Sequence, residues 1–137
     1  DRLTLAGMLS QQGYHTACFG KWHLGMNWPL QGGRTADDAG NFEKPFDDIG
    51  LVDYQAPITD GPVDRGFHTF YGISASLDMF PYVWIHDRQP TEMATATKAF
   101  FRPGPAGPKF EAIDVQSEII NRTIGYIADR SSSARQG

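Results

Sequence analysis

The sequence has one cysteine, Cys18, in 137 residues, so no disulfide forms within the chain. A single cysteine also leaves the redox compartment unread. Positive charge is in short supply: 12 Lys and Arg stand against 16 Asp and Glu, for a net charge of −4. A nucleic-acid face needs clustered basic residues, so no nucleic-acid partner is expected. No apolar run approaches the roughly 20 residues of a membrane-spanning helix, so no membrane span is expected. No internal repeat is visible, and no signal-peptide pattern opens the chain. Asp1-Arg2 already stands inside an amphipathic pattern, which is the expectation for a truncated chain. The length is that of one domain able to bury a core.

Glycine and proline are plentiful, 15 and 9 residues, and imply many turns between short elements. Leu3, Leu5, Ala6, Met8 and Leu9 recur at helical spacing, which predicts a helix over Leu3–Gln12 closed by Gly13. Tyr14–Phe19 reads as a short buried strand. A helix, a glycine stop and a strand form an α/β unit consistent with a parallel sheet. Between Asn27 and Pro62 the pattern is lost among Gly and Pro, as in a long loop, with a short extended piece near Asp53–Ile58. Asp37-Asp38 and Asp47-Asp48 lack the regular oxygen spacing of a calcium loop and read as turn residues, with no metal ligand among them. Gly66–Ile73 carries Phe67, Phe70 and Tyr71 and is expected to turn at Gly72. Pro81–Ile85 is a second candidate strand, with His86-Asp87-Arg88 as its polar exit. Arg102–Pro108 is too rich in Pro and Gly for regular structure, and Phe100-Phe101 needs cover. Asp114 reads as an N-cap. Val115, Ile119, Ile120, Ile124 and Ile127 then predict an amphipathic helix of about 14 residues. Ser131–Gly137 is polar and expected to fray. Asn121-Arg122-Thr123 matches a glycosylation acceptor but falls inside that helix.

The chemistry concentrates in Gly13–Gly25. A strand feeds a glycine-bracketed turn that holds Lys21 and His23 two residues apart. Gly20 and Gly25 open backbone angles closed to other residues. Ligands of open α/β sheets bind at the carboxyl ends of strands. A compact ammonium can balance an anion, and an imidazole titrates near neutrality. Two readings fit these residues: an anion site, or a solvated lysine beside a turn histidine. His15 and His68 read as packed histidines rather than ligands, His86 as a surface residue, and Cys18 as a small buried hydrophobe.

Gly13-Tyr14-x-Thr16-x-x-x-Gly20-Lys21-Trp22-His23-Leu24-Gly25 resembles the second signature of the type I sulfatases, in the alkaline phosphatase superfamily. Leu5-Ala6-x-Met8-Leu9 is similar to the helix before it. Arg65-Gly66-Phe67-x-x-Phe70-Tyr71-Gly72, followed by Ser76-Leu77-Asp78, resembles a later segment of that catalytic domain. The resemblance spans roughly residues 3 to 128. It implies an α/β fold: a piece of a mixed, mainly parallel, alkaline phosphatase-like sheet flanked by helices, with long Gly/Pro-rich loops. Residues 1–137 would be an internal fragment of one sulfatase catalytic domain, with no second domain.

The resemblance further implies a sulfuric ester hydrolase acting on sulfate monoesters, with a formylglycine nucleophile and a bound calcium. Lys21 would bridge nucleophile and substrate sulfate, and His23 would hydrogen-bond the formylglycine hydroxyl. Ser76 would lie near the substrate, with Asp78 structural or lining the pocket. The family's Cys/Ser-x-Pro-x-Arg motif is absent: Cys18 is followed by Phe19-Gly20-Lys21-Trp22, and Ser131–Arg135 lacks the proline. The calcium carboxylates have no counterpart either. The fragment is therefore expected to carry the Lys/His wall of the site and to be inactive alone, with the rest of the parent domain as its partner. A sulfated small molecule or glycan is the implied substrate, in a periplasmic, extracellular or lysosomal-type compartment. Two alternatives stand beside this: a fragment of a related phosphate or phosphonate monoester hydrolase, and a non-catalytic module binding an anionic sugar.

Overall fold

The computed structural model describes residues 2–33 and 51–134. The carboxylate pairs at Asp37-Asp38 and Asp47-Asp48 lie outside the described residues. Helix α1 covers Leu5–Gln11. Thr4 caps it: its hydroxyl oxygen accepts from Gly7 N at 2.9 Å and donates to the Arg65 carbonyl. The cap excludes Leu3, so the helix is shorter than Leu3–Gln12. At the other end Gly13 takes φ +83°, with Gly13 N donating to Ser10 O and Tyr14 N to Leu9 O. This paired closure is a Schellman motif, and it consumes Tyr14. Strand β1 therefore runs Ala17–Lys21 instead of Tyr14–Phe19, and it is half-buried rather than buried.

β1 pairs in parallel with β2 (Thr69–Ile73) over five residue pairs, from Ala17 opposite Thr69 to Lys21 opposite Ile73. β2 pairs antiparallel with β3 (Ile85–His86), and β3 with β4 (Gln89–Pro90). The result is a mixed sheet in the order β1-β2-β3-β4, whose longest ladder is the parallel one. Gly72 does not turn the chain. It lies inside β2, where a methyl group in place of its hydrogen would sit 1.7 Å from the Gly20 carbonyl oxygen. Only glycine lets the two backbones approach this closely. Of the expected strand Pro81–Ile85, only Ile85 joins the ladder; Tyr82 makes a single bridge to Ala106. Pro81 has no N–H to give.

The Pro/Gly run does hold regular structure. β5 (Ala96–Ala99) and β6 (Pro103–Ala106) form an antiparallel ribbon. The prolines alternate, so Gly104 and Ala106 keep their N–H groups on one edge of β6. Lys98 roots the ribbon by donating to the Pro108 and Phe110 carbonyls and to Glu111. Phe100 is covered by Tyr82 and Phe110, whereas Phe101 is 83% exposed.

Helix α2 runs Val115–Ala134, 20 residues, after a 3-10 turn at Ala112–Asp114. The expected cap at Asp114 lies within that turn. The helix also continues through Ser131–Ala134, where the Ser132 and Ser133 hydroxyls donate to the carbonyls of Ala128 and Asp129 one turn back. Only the start of its apolar stripe is covered: Val115 packs against the cluster of Tyr82 and Phe110 and Ile119 is half-buried, whereas Ile120, Ile124 and Ile127 are 47%, 61% and 60% exposed. The face against β1 and β2 carries Glu118, Arg122 and Tyr126. Tyr71 donates to Glu118 at 3.0 Å, and the Arg122 guanidinium lies 4.6 Å from the Tyr71 ring centroid. Tyr126 packs its ring on Phe19 and meets His15 Nδ1 at 2.6 Å. No helix among the described residues is long and apolar enough to cross a membrane.

Two cores result. The larger joins Met26, Trp28, Leu30, Val52, Tyr54 and Ile58 to Phe70, Val83 and Ile85. The stretch expected to be loop thus supplies much of the core where it is described. Single bridges at Asn27–Thr59 and Leu30–Val52 are its only pairing among the described residues. The smaller core gathers Ile73, Tyr82, Ala106 and Phe110.

Two outcomes are expected. Gly72→Ala destabilises the chain by at least the upper end of the ~1–3 kcal/mol typical of overpacking, read as a lower urea midpoint. A change under about 0.5 kcal/mol would mean that the β1–β2 contact is looser than described. The second concerns acid. The Arg122 hydrogen bond, aided by Tyr71, holds the Glu118 carboxyl below its ordinary 4.5. A carboxyl depressed on folding stabilises the fold above its unfolded pKa. That contribution is lost as pH falls through the folded value. Glu118→Gln is expected to flatten the acid limb of the stability profile below pH 4.5 and, because Glu118 also helps raise the Tyr71 hydroxyl, to reduce the loss of stability on the alkaline side.

Candidate functional site

β1 ends at Lys21, but its pairing continues: Trp22 N donates to Ile73 O at 3.0 Å, and His23 N to Ser74 O at 2.9 Å. These bonds carry the turn alongside the segment that leaves β2. Gly20 takes φ +135° and Gly25 φ +82°, and the Trp22 indole donates to the Gly25 carbonyl at 2.7 Å. His23 itself sits at φ +57°, an uncommon conformation for a residue with a side chain, held here by backbone bonds on one side and the indole clasp on the other.

The consequence is a three-residue cluster. Lys21 Nζ donates to Ser76 Oγ at 3.2 Å, and Ser76 Oγ lies 3.1 Å from His23 Nδ1. An ammonium is a donor only, so the serine oxygen accepts from Lys21. Ser76 Oγ also shares a hydrogen bond with His23 Nδ1, whose direction follows the imidazole tautomer. The other ammonium N–H groups and the Nε2 edge of the imidazole remain for a ligand. Lys21 and His23 are exposed and Ser76 half-buried, so the cluster is open to solutes. All three residues singled out from the sequence meet at one point.

The other expectations divide. Asp78 contributes its backbone: Arg102 Nε donates to the Asp78 carbonyl at 2.6 Å. His68 is exposed yet engaged, with Nδ1 within 3.1 Å of Thr16 N and its ring stacked on His15 at 4.4 Å. His15 precedes β1 instead of lying on it. His86 is exposed, as expected. Cys18 is half-buried opposite Phe70, and burial pushes its thiol pKa up. A thiol held protonated in a strand is poorly suited to nucleophilic work. Sequence reasoning missed Arg102, which reads as one cation in a Pro/Gly run; only the ribbon places it beside Asp78. Among the described residues no three His, Cys, Asp or Glu side chains converge to hold a metal ion.

Over 102 residues the chain is 29% identical to the steryl-sulfatase of Homo sapiens, covering 74% of this chain and 12% of that protein. A solved sulfatase structure also matches, from work on the metabolism of multiple glycosaminoglycans by Bacteroides thetaiotaomicron. The TM-score is 0.62 at 19% identity, over 93% of this chain and 31% of that one. The chain is type I sulfatase-like. No protein-family model matches it. The structural match establishes the fold of this sulfatase-like chain, a mixed α/β sheet with helices. The chain spans only an eighth of the curated relative and under a third of the solved structure.

Ser76→Ala removes the hydroxyl shared by Lys21 and His23. The expected result is a His23 ring that loses its single orientation, read as averaged imidazole nitrogen shifts. Stability should change by less than about 0.5 kcal/mol, since no core contact is lost. An unchanged His23 spectrum would show that Ser76 does not hold the ring.

Proposed function

We propose that this chain forms one wall of the active site of a sulfuric ester hydrolase that cleaves sulfate monoesters. The observation that carries the reading is the Ser76 hydroxyl set between Lys21 Nζ and His23 Nδ1, at 3.2 and 3.1 Å. A sulfate ester presents anionic oxygens, and its leaving oxygen gains charge as the S–O bond breaks. Donors already aimed at such charge stabilise the transition state more than the ground state. In this reading Lys21 neutralises a sulfate oxygen. His23, held through Nδ1 by Ser76, presents its Nε2 edge to an oxygen that is gaining charge, where an imidazole can pass a proton in either direction. Ser76 is a positioning residue for both and lies against the bound sulfate.

Type I sulfatases imply a formylglycine and a calcium ion, which supply the nucleophile and bind a sulfate oxygen. The described residues do not fit either group. Cys18 lacks the Cys-x-Pro-x-Arg context and sits in a strand ladder, and no metal-binding cluster is present among the described residues. Those parts would come from other residues of a longer catalytic domain. The comparisons support this division, because the matched relative is far longer than the chain.

Two measurements test the reading. The 137-residue chain is expected to hydrolyse no aryl sulfate above a Lys21→Ala control; turnover that depends on Lys21 would overturn the division of parts. In a full-length enzyme containing this segment, Lys21→Ala is expected to lower kcat/KM by about 100-fold or more. Loss of one preorganised donor typically costs ~3–4 kcal/mol of transition-state stabilisation. A loss within about threefold, only ~0.7 kcal/mol, would make Lys21 a solvated turn residue.

A further inference from the structure

Ser76 begins a tight turn, closed by Met79 N donating to Ser76 O at 2.9 Å. The third residue of that turn, Asp78, is gripped from the β5–β6 ribbon by Arg102. Its Nε donates to the Asp78 carbonyl at 2.6 Å, and its guanidinium lies 5.4 Å from the Phe80 ring centroid. The backbone beneath it is fixed as well, since Tyr82 donates to the Arg102 carbonyl at 2.8 Å. These contacts use one N–H and one face of the guanidinium. The two terminal nitrogens form no ion pair among the described residues, and the residue is exposed. A guanidinium is a rigid fork that fits a carboxylate or sulfate in two-point contact. The Nε bond and the ring contact fix the guanidinium, which leaves its two terminal nitrogens open to solvent and accessible to a ligand.

We propose that Arg102 is a specificity-determining residue that receives a second anionic group of the substrate. This deepens the reading of Lys21, His23 and Ser76 as the sulfate-binding cluster and rests on it. The substrate class is then a sulfate ester that carries another sulfate or a carboxylate, as an acidic saccharide does. A neutral molecule with one sulfate would leave Arg102 unused. One turn separates the two cations, a distance on the order of 10 Å, since the ends of a tight turn lie within about 7 Å. That is comparable with the ~10 Å Debye length at 0.1 M salt, so an anion held at one cation still feels the other.

The test is binding to the 137-residue chain, by calorimetry, of maltose monosulfate and maltose disulfate at several salt concentrations. The wild-type chain is expected to bind the disulfate at least about tenfold more tightly, with a steeper salt dependence. Arg102→Gln keeps a donor for the Asp78 carbonyl but removes the charge. It should bring the two ligands within about threefold while monosulfate binding persists. Lys21→Ala should weaken both. If Arg102→Gln keeps the tenfold preference while Lys21→Ala weakens binding, Arg102 is a structural clamp only: the present proposal fails and the Lys21 reading stands. If the wild-type chain binds neither sugar, or Lys21→Ala changes nothing, the cluster reading fails and this proposal falls with it. A dichroism spectrum of each variant matching wild type secures the comparison. Arg102→Lys should restore part of the preference, because it restores charge without the fork.

Discussion

Everything near the candidate site depends on the parallel contact between β1 and β2 at Gly20 and Gly72. A methyl group there would lie 1.7 Å from a carbonyl oxygen, so the two backbones meet with no side chain between them. This contact sets the register, and the register places Lys21 opposite Ile73. From that point Trp22 and His23 bond to Ile73 and Ser74, so two distant stretches leave the sheet side by side. Ser76 follows two residues later and reaches both Lys21 and His23. The cluster is therefore the extension of a backbone ladder. That rigidity is what a charge-stabilising site needs, because donors that must reorganise during a reaction contribute less.

The cluster also shows how three ordinary surface residues acquire direction. A lysine alone is a mobile point charge, and a histidine alone can carry its proton on either nitrogen. The serine between them accepts from the donor-only ammonium and shares its second hydrogen bond with the imidazole Nδ1, so the remaining ammonium N–H groups and the Nε2 edge become what a ligand meets. The left-handed backbone at His23 is the local strain that this arrangement carries.

Along the β1–β2 face that carries Phe19 and Tyr71, α2 is bound by polar and aromatic contacts. Glu118, Arg122 and Tyr71 form a mutually supporting set. The Arg122 hydrogen bond holds the Glu118 carboxyl below its ordinary range, while burial and the Glu118 hydrogen bond push the Tyr71 hydroxyl up to about 12. Ile120, Ile124 and Ile127 of the apolar stripe meanwhile stay exposed. Helical periodicity reveals that an apolar face exists, but not which neighbour it meets.

Local chemistry was legible in the sequence. Gly13 as a helix stop, the α1–β1 order, the aromatic β2 and the long terminal helix all follow from short-range preferences, which act over a few residues. The Lys21, His23 and Ser76 set was legible too, through the resemblance of a glycine- and tryptophan-rich signature to the sulfatases. Tertiary structure alone decided the rest. Gly72 reads as a turn until a second backbone lies against it. Pro103–Ala106 reads as irregular until β5 offers a partner for its remaining N–H groups. Trp28, Leu30 and Val52 read as loop because no ladder organises them, yet they are buried. The Ser76 bridge and the place of Arg102 lie in the same class. Each joins residues more than twenty positions apart, and such a distance is closed only when the chain folds.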